Sequence, residues 1–309
     1  MTTINRFALA SALLLAASTR SYAEAPKVIA SFKPIHSLVA AVMKGIGEPY
    51  LLVKGSASPH TYAMTASDAE ALQNADAIFW VNRELEAFLE KPLESLGGKA
   101  KIVELSEIDG LTKLEVREGG AFDQHADDIG KVEAPGEAEI DNHLWFDPNN
   151  AKAFVREIAR TLSENDPQDA ATYNANAEKL IKDLDALTKE LVADLAPVKG
   201  KPIIVFHDAY QYFEKAYGVT IAGSVTVNPD TSPGAERIAE LRAKVKELGA
   251  VCIFAEPNFD PKIIAAITEG SSAKTGVLDP EAAALTEGPE LYFQSLRGIA
   301  KSMKTCLAP

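Results

Sequence analysis

Residues 28–43 read VIASFKPIHSLVAAVM. The opening VIASF (Val28 to Phe32) has the unbroken apolar character of a buried strand. From Lys33 to Met43 the apolar residues Ile35, Leu38, Val39 and Val42 recur three and four apart, as on one face of a helix. A strand that runs straight into an amphipathic helix is a βα step. The step recurs with a strand near Tyr50–Val53, a helix through Ser67–Ala75, a strand AIFWV at Ala77–Val81 and a helix at Glu84–Leu93.

A second series starts at PIIVFHDAYQYFEKAYG (Pro202–Gly218) and continues through VTIAGSVTV, a helix opened by Ser232 and Pro233, and the strand AVCIFAE (Ala250–Glu256). A helix at Pro261–Glu269, the short VLDP segment at Val277–Pro280 and a last helix from Pro289 to Met303 complete it. Repeated βα units predict parallel strands covered by helices, hence an α/β chain of two lobes, each with a parallel sheet. A chain of 309 residues is long enough for two such cores.

Between the series, Tyr173, Ala177, Leu180, Leu184, Leu187, Leu191 and Leu195 recur at intervals of three and four, with no Gly or Pro between Pro167 and Pro197. One long helix is expected, able to span roughly 40 Å from lobe to lobe at about 1.5 Å per residue. Glu115–Asp141 differs in kind: rich in Asp and Glu, with Gly119, Gly120, Gly130 and Gly136 and little apolar periodicity, it reads as a mobile acidic loop. The expected organisation is a leader at 1–23, a first lobe at 24–165 containing the loop at 115–141, a linking helix at 166–197 and a second lobe at 198–309.

The leader is read from basic Arg6, the apolar stretch Phe7–Ala17 and the small residues ending at Ala23, the pattern of a secretory signal. Its apolar stretch is shorter than the roughly 20 residues of a membrane span. With no cysteine near that site for lipid attachment, a soluble periplasmic protein, monomeric, is expected. The formal net charge of −13 gives no basic stripe for a phosphate backbone, which excludes nucleic acid as a partner and favours cations. Cys252 and Cys306 are the only cysteines, and in an oxidising compartment such a pair bonds as a disulfide.

Of five histidines, three share a context: His60 in GSASPHTY, His143 in DNHLWFDP and His207 in VFHDAY each follow a strand or turn signal and precede a helix. Asp279 in VLDP stands in the same kind of place. In open α/β folds the crevice beyond the strand carboxyl ends is where ligands bind. Three imidazoles and a carboxylate suit tetrahedral Zn²⁺, whereas Mn²⁺ prefers more oxygen. His36 and the aromatic pair Trp145 and Phe146 are read as packing residues, and Asp208 as a helix N-terminal charge or cap.

The motifs KPIHSLVA, SPHTY, the acidic loop, HLWFDP, FHDAYQYF and LDP occur in the order seen in periplasmic zinc-uptake receptors. From Val28 to Cys306 the chain resembles the ZnuA-like family of metal-binding ABC-transporter substrate-binding proteins. That resemblance implies two lobes joined by a long helix, a metal site in the cleft between them, His60, His143 and His207 as ligands with Asp279 on or near the metal, and delivery of Zn²⁺ to the membrane permease of an ABC importer. Related manganese receptors carry Glu where His207 stands, which makes manganese the alternative cargo. Two features depart from the family: the acidic loop offers His125 alone where a His-rich loop is common, and Asn142 stands where Pro is usual, a change expected to alter only loop stiffness. A zinc hydrolase is the competing class, with Glu256 as the one candidate base; no HExxH or GxSxG motif supports it. An adhesin or scaffold of the same fold, with a structural metal, is the third reading.

Overall fold

The computed structural model describes residues 24–117, 122, 139–226, 233–249, 252–257, 259 and 261–308. The leader, most of the acidic loop with His125, and Ser232 lie outside these residues. None of the described helices is long and apolar enough to cross a membrane.

Eight strands form two parallel four-stranded sheets. In the first, β1 (Val28–Ala30), β2 (Tyr50–Leu51), β3 (Ala77–Trp80) and β4 (Lys101–Glu104) lie in the order β2-β1-β3-β4; in the second, β5 (Pro202–His207), β6 (Thr220–Thr226), β7 (Cys252–Ala255) and β8 (Lys274–Val277) lie in the order β6-β5-β7-β8. The two orders are the same when read by position in each half, so the chain builds one architecture twice. Nine helices occur among the described residues: α1 (Lys33–Val42), α2 (Ala66–Asn74), α3 (Glu90–Leu96), α4 (Pro148–Asn165), α5 (Ala170–Leu195), α6 (Gln211–Tyr217), α7 (Ala235–Leu248), α8 (Pro261–Thr268) and α9 (Leu291–Leu307).

The unbroken apolar strands are explained by burial on both faces. In the first sheet Ile29, Ile78 and Trp80 face a cluster with Leu72, Leu89 and Leu93, while Val28, Ala30, Phe79 and Val81 face the other way into the largest core. In the second, Ile204, Phe206 and Ile253 pack with Leu241, Val245 and Ile264, and Ile203, Val205, Cys252 and Phe254 turn inward. The inward residues of both sheets belong to one continuous core, joined through the buried stripe of α5, Tyr173 to Leu195. At 26 residues, α5 is about 39 Å long. Cys252 on β7 is disulfide-bonded to Cys306 on α9.

Several elements differ from expectation. The helix expected from Glu84 begins only at Glu90, after a 3-10 turn at Ala87–Leu89. Pro92 would sit inside a longer helix, with no N–H to give the Phe88 carbonyl, but is tolerated in the first turn of the shorter one. β4 was not expected at all: Lys101 and Glu104 interrupt its apolar run, as suits an edge strand. β8 ends on Val277, the first residue of the VLDP segment, and α7 starts at Ala235 behind Gly234 with no side-chain cap.

Candidate metal centre

His207 is the last residue of β5 and shares the inward face with Ile203 and Val205. β5 pairs with β7 through Ile203↔Cys252 and Ile204↔Ile253, and continuing that register sets Glu256 beside His207. This is where strand order reverses in the second sheet, the crevice at which α/β folds bind ligands. Both Glu256 oxygens reach Nδ1 of His207, at 2.7 and 2.9 Å. The pair is almost wholly buried, with 1% and 4% of the side chains exposed.

His143 stands before the 3-10 turn Leu144–Phe146, which leads into α4 through the Asp147 N-cap. Asp141 Oδ1 accepts from the His143 backbone N–H at 3.0 Å and contacts its Nδ1 at 2.8 Å. Each ring therefore has a carboxylate on Nδ1, which in a neutral imidazole draws the proton to that nitrogen and leaves Nε2 bare. The two Nε2 atoms face each other at 3.1 Å. Tetrahedral zinc with Zn–N bonds of about 2.0–2.1 Å sets its ligand nitrogens about 3.3 Å apart, so two lone pairs are already aimed near one point.

His60 completes the group from a turn between β2 and α2. Its ring centroid is 6.0 Å from that of His143 and 5.9 Å from that of His207, and one nitrogen from each of the three rings lies within 4.8 Å of the others. Burial, followed by repulsion from His207 and His143, holds the His60 pKa well below its ordinary value, keeping the ring neutral and fit to ligate. For His207 burial also acts downward, but the charge and hydrogen bond of Glu256 outweigh it and the pKa is raised.

The structure brings together three of the four expected ligands. Asp279 is not in the group: its oxygens accept from the backbone N–H groups of Ala283 and Ala284 at 2.8 and 2.9 Å. The carboxylate facing the imidazoles is Glu281, whose Oε1 lies 3.9 Å from His60 Nε2 and accepts from Ser58 at 2.8 Å. Burial, partly opposed by His207 and Ser58, pushes Glu281 up to about 8. Sequence reasoning missed Glu281 and Asp141; the Asp two residues before His143 was the available signal for the latter.

The other residues singled out sort clearly. His36 lies elsewhere, buried, with Nε2 on the Pro49 carbonyl at 3.0 Å. Trp145 and Phe146 are buried in the core. Asp208 does not cap α6: it binds the guanidinium of Arg117, which also reaches Glu214 at 2.6 Å, because α6 begins three residues later behind Tyr210. Asn142 does more than loosen a loop, since its Oδ1 accepts from Asn82 at 2.6 Å. Glu256, the candidate base, is engaged by His207.

The family model described as zinc-uptake complex component A, periplasmic, matches residues 28–306. The high-affinity zinc uptake system protein ZnuA of Brucella suis biovar 1 is 45% identical over 335 residues, covering 100% of both chains. The protein of that name from Paracoccus denitrificans is 35% identical, covering 96% of each. Among solved structures, a crystal structure of ZnuA superposes with a TM-score of 0.75 at 24% identity, covering 92% of this chain and 100% of the other, and so attests the shared fold. A laminin-binding protein of Streptococcus agalactiae, described as both adhesin and metal transporter, gives 0.74 at 25% identity, covering 91% and 99%. With the match spanning both sheets and all three clustered histidines, the chain belongs to the ZnuA family of periplasmic zinc-uptake components.

Proposed function

We propose that this chain captures one Zn²⁺ between its lobes with His60, His143 and His207 and delivers it to the membrane permease of an ABC importer. The observation that carries the reading is the pair of Nε2 atoms held 3.1 Å apart, each ring locked from behind by a buried carboxylate. Three nitrogens favour zinc over manganese, a harder ion better served by oxygen. Relatives named for high-affinity zinc uptake, aligned over 96% and 100% of the chain, support zinc as the cargo.

For the fourth position we propose Glu281, the carboxylate already turned toward His60, with Asp279 shaping the turn that presents it. Elemental analysis of the purified protein, followed by competition among zinc, manganese and copper, tests the cargo: one zinc per chain retained against manganese is expected, and preferential manganese retention refutes the reading. Glu281→Gln and Asp279→Asn separate the two carboxylates, since only loss of the ligand lowers the intensity of the visible bands of Co²⁺ substituted for zinc.

A further inference from the structure

The KPIHS motif at the start of α1 has no part in the triad, yet its lysine reaches from the first lobe to the second. Lys33 is 4% exposed, and among the described residues its ammonium hydrogen-bonds no carboxylate, Glu287 and Asp279 acting on it only through space. All three donors go instead to backbone carbonyls of one short segment in the second lobe: Ala282 at 3.3 Å, Ala283 at 2.8 Å and Leu285 at 2.6 Å. One turn along the same face of α1, Ser37 Oγ accepts from the backbone N–H of Tyr292 at 3.0 Å.

The gripped segment is the turn that follows β8. Ala282 has φ of +56°, the one non-glycine residue among those described with positive φ. A side-chain-bearing residue holds that conformation only where its surroundings enforce it. Two constraints are visible: the Asp279 carboxylate, which takes the N–H groups of Ala283 and Ala284, and Lys33, which takes the carbonyls. Between these anchors lies Glu281, 8% exposed and turned toward His60 and Ser58.

We infer that Lys33 is a positioning residue for the metal site, a first-lobe ammonium that folds the 279–285 turn of the second lobe into the shape that presents Glu281 to the three imidazoles. The inference rests on the proposal that Glu281 supplies the fourth ligand. A compact ammonium with three donors suits three converging carbonyls, whereas the planar guanidinium of arginine does not. The lysine acts on the ion only through the turn, so its effect requires the Glu281 carboxylate.

The test is a double-mutant cycle on the full-length mature protein, with zinc affinity read by competition against a chromophoric chelator and coordination read by Co²⁺ absorption. Lys33→Met should weaken zinc by about 10-fold or more, the range for residues supporting a metal ligand, and should lower the Co²⁺ band intensity. In a Glu281→Gln background the same substitution should change affinity less than about 2-fold, since coupled residues do not add. Parent-like affinity and Co²⁺ spectrum in Lys33→Met overturn the inference. So does an equal loss in both backgrounds, which marks a general structural role. If Glu281→Gln alone binds zinc like the parent, the ligand assignment beneath falls, a result distinct from either. Should Lys33→Met fail to fold, Lys33→Gln, which retains two donors, enters the same cycle with the same expected pattern and a smaller loss.

Discussion

Replacing Glu256 by Gln isolates what its charge does for His207. Gln keeps an acceptor in place for Nδ1–H, so the ring stays oriented while the buried negative charge disappears. Removing a carboxylate behind a metal-binding imidazole weakens metal binding by about 10–100-fold, which is about 1.4–2.7 kcal/mol. Near-complete burial of both partners argues for the upper part of that range. The pH dependence adds a second signature. In the parent, Glu256 raises the His207 pKa against the pull of burial, so as pH falls protons compete with zinc at His207 before they compete at His60, whose pKa is depressed. In Glu256→Gln burial is opposed far less, the His207 pKa drops, and proton competition begins at lower pH. The variant should therefore bind more weakly at pH 7.5 but lose less of its affinity on acidification, so that the two curves draw together toward about pH 5.5. Chelator competition at three pH values measures both effects. Parent-like affinity at pH 7.5, or a parent-to-variant ratio constant across the range, refutes the reasoning.

Three further outcomes are expected. Zinc at a thousandfold excess over Kd should add about 4 kcal/mol of stability to the parent, read as a rise of several degrees in Tm; His207→Ala should lose most of that rise and His125→Ala should keep it. Removing the disulfide by Cys252→Ser with Cys306→Ser opens a sequence separation of 54 residues and should cost about 4 kcal/mol in the chain-entropy model, checked by denaturant titration of the zinc-free protein. Glu86 is fully buried and pushed up to about 7 by desolvation. A carboxyl whose folded pKa is raised binds more protons folded than unfolded, so stability falls as pH rises from about 4.5 through 7, by on the order of 3 kcal/mol; Glu86→Gln should flatten that part of the stability–pH curve, and an unchanged curve assigns the dependence elsewhere.

The βα rhythm was legible because strands buried on both faces, such as AIFWV, and helices such as Lys33–Met43 announce themselves by apolar pattern. Where pattern misled, a single residue decided: Pro92 delayed α3, and the charged ends of β4 disguised an edge strand. The three histidines were found from local context and family resemblance together. Their supporting carboxylates were harder to see. Asp141 reveals its role only when the backbone turns it back on His143, and Glu256 meets His207 across 49 residues through strand register. The 279–281 turn shows the limit most clearly, because Asp279 and Glu281 are two residues apart and chemically alike. Only Glu281 comes within 3.9 Å of His60, and the turn that separates the two carries a left-handed backbone at Ala282 and a contact from distant Lys33, neither of which is written into local sequence.

The core that runs unbroken from the first sheet through α5 to the second makes the two lobes a single thermodynamic unit. Separate domains would melt as separate events, whereas a shared interior cannot be lost from one half without exposing the other. Heat unfolding of the metal-free chain should then be one calorimetric transition with van't Hoff and calorimetric enthalpies in agreement. For transport the same continuity implies that lobe-over-lobe swinging is resisted by the whole interior. On the proposed delivery to a permease, the loaded and empty forms would differ by small displacements in the turns bearing His60 and Glu281 rather than by a change in overall shape.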